Sequence, residues 1–286
     1  MFNKLIILIS CVNFIFGIGL KALVIPQNAL SLASSSTGLA NYSNIDLNPA
    51  AISNHEPYVS FSNNKWFADM SGQKISVVWN ENNRSYFSFE SLNVTDIELR
   101  NEIASEEPVG FFGAYWYAFN YSKGLNFSYL KKNNIKAGYS FTYSLSKLHT
   151  ESMRGITFNF GLVKNISDNF SLGFVVNDIG KQQYNGLKEN VDMEAGMGIA
   201  YNLKKMPFKV SSDIIYRNSD ILSKLSLNTN FSYVNFICGF TKGESYNDYS
   251  FGLSMDFSDW SFVFGSLVHD NSSLGNPSSI EIIKTF

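Results

Sequence analysis

Ala137-Gly138-Tyr139-Ser140-Phe141-Thr142-Tyr143-Ser144-Leu145 alternates large apolar residues with small or polar ones. A period of two puts successive side chains on opposite faces of a β-strand, so the stretch predicts a strand with one ring-bearing face and one face of Gly, Ser and Thr. The pattern recurs. Ile156, Phe158, Phe160 and Leu162 alternate with Gly155, Thr157, Asn159 and Gly161, and Phe170, Leu172, Phe174 and Val176 with Ser171, Gly173, Val175 and Asn177. Residues 193–201 and 249–257 repeat it. Turn formers such as Lys132-Asn133-Asn134 and Ser167-Asp168-Asn169 stand between the segments.

A soluble sandwich and a membrane barrel both produce such ladders. The sandwich buries its apolar face and studs the other with Lys and Glu for solubility. Here the second face is Gly, Ser, Thr and Asn, and charges gather at the turns. A transmembrane barrel turns its apolar face to lipid, lines its lumen with small and polar residues, and carries aromatic girdles. Closure also satisfies every backbone N–H and C=O within lipid. The expected fold is therefore all-β, a transmembrane antiparallel β-barrel over residues 57–286. At about 15–20 residues per strand and connection, that length accommodates about 12 to 14 strands. Segments running from 57–63 to 278–286 come to one more than the even number a closed single-chain barrel needs. The pair 113–121 and 124–131, separated only by Ser122 and Lys123, is the weakest division.

Composition agrees. The 286 residues carry a net charge of -2, which argues against a nucleic-acid partner. Charged residues make up 16% and aromatic ones 15%, so the chain has ample apolar surface to bury and is not disordered. Beyond the N-terminus no apolar run reaches the roughly 18 residues of a spanning helix. At the N-terminus, Lys4 precedes an apolar stretch from Leu5 to Leu20 and small residues around Gly17, Gly19 and Ala22. This predicts a secretory signal peptide over residues 1–22, cleaved after Gly19 or Ala22. Removing it discards Cys11 and leaves Cys238 without a disulfide partner. Phe286 ends the chain on the same face as Ile280 and Ile282, the form of an outer-membrane insertion signal.

Ahead of the barrel, Ala29, Leu32 and Ala33 have helical spacing, followed by a Ser-rich turn at Ser34–Thr37 and by Asp46-Leu47-Asn48-Pro49-Ala50-Ala51-Ile52. Pro49 fixes its own φ and pushes Asn48 away from helix, so the motif predicts a rigid turn. It resembles the Asn-Pro-Ala signature before the first strand of FadL-like outer-membrane barrels and of the PorV/PorQ family. Glu98, Arg100 and Pro108, within Asp96–Arg100 and Glu107–Phe112, resemble an insertion between early strands of PorV/PorQ proteins. The resemblance implies that residues 23–56 form a plug or hatch inside the barrel, with Asp46, Asn48, Pro49 and Ala50 as its motif.

Catalytic chemistry is sparse. His55, His149 and His269 share no metal-ligand spacing and read as surface histidines, and no hydrolase or phosphate-loop motif is present. No cofactor, no metal and no enzymatic activity are expected. By alternation Glu194, Lys209, Asp213, Arg217, Asp256 and Glu281 point into the lumen, where they solvate the interior, clamp the hatch or form a ligand track. Outer-membrane lipid is the expected surrounding. The PorV/PorQ resemblance implies type IX-like protein secretion, with exported cargo or secretion-machinery proteins as partners. The FadL-like alternative is uptake of hydrophobic small molecules.

Overall fold

The computed structural model describes residues 26, 28–42, 44–66, 69–79, 84–100, 107–125, 133–203, 206–244, 246–270 and 275–286. The expected signal peptide lies outside them. The strands are β1 (Tyr58–Lys65), β2 (Ser71–Trp79), β3 (Ser85–Leu99), β4 (Gly110–Leu125), β5 (Ile135–Leu148), β6 (Glu151–Ser167), β7 (Phe170–Tyr184), β8 (Leu187–Asn190), β9 (Glu194–Asn202), β10 (Phe208–Arg217), β11 (Asp220–Phe231), β12 (Val234–Lys242), β13 (Asn247–Phe257), β14 (Trp260–His269) and β15 (Ser278–Thr285). Each pairs antiparallel with its neighbour, β15 returns to β1, and β7 pairs with both β6 and β9. Fourteen strands close the ring; β8 stands outside the count, paired only with the last residues of β7.

The segments 113–121 and 124–131 belong to no two strands. β4 runs unbroken through Ser122 and Lys123, which pair with Tyr86 and Ser85 on one side and with Ser140 and Tyr139 on the other. Residues 126–131 lie outside the described residues. β7 continues to Tyr184, seven residues past the 177 at which the sequence alternation stops. The reason is a bulge: the β6–β7 register shifts between Phe158 and Phe160, and Asp178 takes a positive φ of 61°. One extra residue inverts the alternation and hides the rest of the strand.

The two faces divide as a membrane requires. Phe158 is 52% exposed on the outside while its neighbour Thr157 is 1% exposed on the inside. Phe61, Met197, Ile214 and Phe251 also face out, and Ser62, Ser211 and Ser279 are buried inward. The apolar exterior meets lipid and the ladder satisfies the backbone.

The ends of the barrel differ. The end near the C-terminus has two-residue turns at 168–169, 232–233 and 258–259 beside the longer 126–134 connection; the opposite end has two-residue turns at 149–150 and 218–219 and carries the 100–109 and 270–277 connections and the β8 hairpin. The two longer connections and the β8 hairpin gathered at the opposite end assign that end to the extracellular side and the C-terminal end to the periplasm. On the extracellular side β3–β7 rise above the rest. β3 pairs with β2 only as far as Asn93 and β7 with β9 only as far as Asn177, so Val94–Leu99 and Asp178–Tyr184 stand clear of the shorter strands, roughly 20 Å of extra wall. A bulge marks each flank of this crest, between Val94 and Ile97 on β3 and at Asp178 on β7.

Candidate functional site: the lumen and its inner segment

Residues 28–42 and 44–54 lie inside the ring. They open with α1 (Ala29–Ala33), where the Asn28 side chain accepts the Ser31 N–H at 2.7 Å, the capping bond that satisfies a free donor of the first turn. A tight turn follows, with Ser35 and Ser36 at positive φ. The segment ends in a 3-10 turn, Pro49–Asn54, capped by Asn48 in extended conformation with Pro49 at its first position. α1 packs on β13, β14 and β15, and the 3-10 turn on β4, β5 and β6, so the segment crosses the lumen from wall to wall.

Lumen-facing glycines make this possible. A Cβ on Gly138 would fall on the Pro49 carbonyl, one on Gly161 on the Asn48 side chain, and one on Gly173 on the Leu39 carbonyl. Opposite, Gly252 and Gly265 face Ala33 and the Ala29 carbonyl in the same way. Backbone and small side chains of the segment rest directly on the wall, a contact only glycine permits.

Polar anchors complete the fit. The Asp213 carboxylate accepts the Gly38 N–H at 2.5 Å and the Leu39 N–H at 3.1 Å, two successive amides forming an anion nest. Beside it Lys209 donates to the Asn41 carbonyl at 2.8 Å and Lys224 to the Ser36 carbonyl at 3.3 Å. The Asp46 carboxylate gathers Lys74 at 2.7 Å, the Tyr86 hydroxyl at 2.8 Å and the Asn28 amide at 3.1 Å, and Lys74 reaches Glu90 at 3.3 Å. Asn48 donates to the Leu39 carbonyl at 2.7 Å and to the Leu162 carbonyl of β6 at 3.3 Å, and accepts the Ala50 N–H at 3.0 Å. Ser250 and Ser171 donate to the Ala33 and Ala40 carbonyls. At the periplasmic end, Tyr42 donates to Asn165 at 2.9 Å, and burial pushes its hydroxyl pKa up to about 12, so it stays a neutral donor.

A cavity lies on either side of the segment. The extracellular one, of about 350 Å³, is of mixed character, with Glu90, Asp178, Glu194, Arg217, Lys224 and His269 set among Leu39, Leu47, Trp66, Leu222 and Leu267. The periplasmic one, of about 600 Å³, is lined largely by Asn and Ser side chains, with Tyr42 and Lys209. Leu39 borders the first and Asn41 the second, so along the chain only Ala40 lies between them.

The residues singled out from the sequence fall into four places. Asp46, Asn48, Pro49, Ala50, Lys209 and Asp213 sit in or against the inner segment. Glu194 and Arg217 form an ion pair in the extracellular cavity. Asp256 lies apart, accepting from Asn235 at 3.1 Å and Ser261 at 2.6 Å between periplasmic strand ends, while buried Glu281 pairs in register with Ser62. Glu98 and Arg100 bond each other at 2.7 Å on the crest, where Pro108 leads into β4. Phe286 is exposed at the periplasmic rim, its N–H on the Pro57 carbonyl at 3.0 Å. Two histidines are not the surface groups their turn contexts predict. His55 is largely enclosed, and burial pushes its imidazole pKa down; His269 bonds Asp248 at 2.7 Å over the extracellular cavity. Lys74 and Tyr86, which bond Asp46, and Glu90, which pairs with Lys74, escaped the sequence reading. Alternation through Gly72, Lys74, Ser76 and Val78 was the signal for the lysine.

Above the extracellular cavity the inward positions change character. Register places Leu92 of β3 and Trp116 of β4 on the inner side at the foot of the crest, and Val94 of β3, Ile97 beyond its bulge, Phe112 of β4, Leu148 of β5, Met153 of β6 and Tyr184 of β7 on the inner side of the crest itself. The anchoring bonds of the inner segment described above all land below this level.

No protein-family model matches the chain, and no curated protein matches it. Solved structures do. The CymD monoaromatic hydrocarbon channel is 11% identical, with 91% of this chain and 97% of that one covered and a TM-score of 0.67. A Pseudomonas aeruginosa FadL homologue is 8% identical over 92% and 99%, at 0.65, and the Pseudomonas putida toluene transporter TodX 12% over 90% and 96%, at 0.62. The chain has the FadL-like fold, a closed ring of 14 antiparallel strands. Its likeness in these matches is to hydrocarbon channels, and nothing in them supports the PorV/PorQ resemblance of the Asn-Pro-Ala and Glu98–Pro108 segments.

Proposed function

We propose that the protein is a gated outer-membrane channel that takes up small hydrophobic molecules, with residues 28–54 as its hatch. The observation that carries it is the group of large apolar residues on the inner side of the crest, Val94, Ile97, Phe112, Leu148 and Met153, set beside inward Glu151 and Gln182 over the mouth of a lumen whose wall is small and polar. Large apolar side chains converging on one concave wall are a capture surface for apolar solutes. The fold shared with two aromatic-hydrocarbon channels supports the same substrate class. The mixed cavity beneath is closed below by the inner segment, so passage requires that segment to shift from its anchors at Asp213 and Asp46. Glu194 and Arg217 line the path and Lys209 steadies the hatch.

The test is uptake of a radiolabelled monoaromatic hydrocarbon by bacteria stripped of their own hydrophobic-uptake barrels. Expression of this chain should raise the initial rate several-fold, and the Phe112→Asp, Trp116→Asp double variant should return it to background. No rise with the native chain overturns the proposal. Type IX-like secretion, with Glu98, Arg100 and Pro108 as a docking feature for cargo, rests on segment resemblance alone; it gains support only if a cargo or machinery protein copurifies while uptake is absent.

A further inference from the structure

The outer side of the crest carries a different pattern. Lys147 of β5, Arg154 of β6, Lys181 of β7 and Lys188 of β8 are all exposed. Register puts them on one face: Arg154 pairs with Leu145 and with Gln183, Lys147 with Ser152, Lys181 with Ile156, and Lys188 with Gln183. That is the outward face, since Ile156 and Phe158 two and four residues below Arg154 are exposed to lipid, while Gly155 and Thr157 between them are buried inward. Lys147 and Lys181 are each one step diagonal from Arg154, about 7–8 Å between backbone positions. None of the four cations has an ion-pair partner among the described residues.

The acidic residues of the same strands turn the other way. Glu151 pairs with inward Leu148, and Glu189 pairs with inward Gln182 and accepts its amide at 3.3 Å. A face solvated only by water gains nothing from such segregation, and mutual repulsion of the cations opposes it. Level with Lys181 stand Ile156 and Tyr143, and beneath the cluster come Ile179 and then Phe141 against Phe158 with ring centroids 5.2 Å apart, the upper margin of the lipid-facing band. The cations therefore sit at headgroup height on the extracellular side.

We infer that Lys147, Arg154, Lys181 and Lys188 form a binding site for the phosphate groups of a phosphorylated lipid in the outer leaflet, held on the outer wall of the crest. Arg154 offers a planar bidentate donor at the centre, the three lysines supply flanking charge, and the band below receives the acyl chains. The site is independent of the lumen and of what passes through it.

The test reconstitutes the full-length barrel in nanodiscs of zwitterionic phospholipid doped with a lipid A-type phosphorylated glycolipid, then with the same glycolipid dephosphorylated. Retained lipid is counted by native mass spectrometry. Native protein should retain the phosphorylated lipid, and the Lys147→Gln, Arg154→Gln, Lys181→Gln variant should retain at least about tenfold less. Lys65→Gln with Lys242→Gln, at exposed far-end positions of β1 and β12, should leave retention unchanged. Equal retention of the two glycolipids by native protein overturns the inference without any variant, so poor folding of the triple variant does not shield it. An equal loss in the Lys65, Lys242 control also overturns it, since diffuse charge would then suffice.

Discussion

The inner positions of β3–β7 are filled by two unlike sets of residues, one below the crest and one on it. Below, Ser88, Gly138, Ser140, Thr142 and Gly161 line the wall; above, Leu92, Val94, Ile97, Phe112, Trp116 and Met153 continue the same strands on the same side. The lower set meets another part of the chain at backbone distance, so its members are small or able to hydrogen bond. The upper set has no such neighbour among the described residues, and its side chains are large. Lumen polarity is thus a consequence of what occupies the lumen, and where the occupant stops the wall becomes a surface for something else.

Breaking the lower set should have the largest effect. In a Gly138→Leu, Gly161→Leu variant the inner segment cannot seat, because both new side chains start where Pro49 and Asn48 lie. Ion conductance in planar bilayers should change from closed to continuously open, while heat-modifiable mobility on gels shows the barrel intact. Asp213→Ala comes next. It strands the Gly38 and Leu39 N–H groups, at about 1–3 kcal/mol for each buried donor left unpaired, and should give frequent transient openings and a lower urea midpoint.

Changes to the upper set should separate function from stability. Trp116→Ala should weaken binding of an apolar aromatic probe by about tenfold, given about 1.5–3 kcal/mol for a large apolar contact, and leave the urea midpoint nearly unmoved. If it unfolds the barrel instead, the crest is core and the contrast fails. The smallest effect belongs to a region outside both sets. At the periplasmic β13–β14 turn, the hydrogen bond and charge of Lys284 hold the Asp259 carboxyl pKa below its ordinary value. A lowered folded pKa stabilises above the unfolded value of 3.8 and ceases to do so as pH falls through the folded one. Asp259→Asn should therefore lower the urea midpoint slightly at neutral pH, with the difference vanishing as pH falls through the lowered folded pKa.

Much of this was legible in the alternation of residues. Period two, with rings on one face and Gly, Ser and Thr on the other, is enough for a barrel, because no soluble sheet keeps its second face so small and uncharged. Strand boundaries were less legible where local rules break. Ser122-Lys123 looks like a turn but stays in register, and the bulge at Asp178 inverts the pattern that would have extended β7. Asp213 was readable as inward; its two amide partners were not, since they lie 174 and 175 residues away. The glycines were visible on one face, but their reason, an inner segment packed against them, depends on closure of the whole ring. The apolar crest escaped because large inward residues look like ordinary outward ones until register assigns the side.

The central claim is that residues 28–54 close the lumen between its two cavities. Deleting residues 26–52 and recording conductance in planar bilayers tests it most directly. The account predicts a folded barrel with a persistent open-channel conductance that the full chain lacks. A deletion variant that folds and conducts no more than the full chain would contradict it.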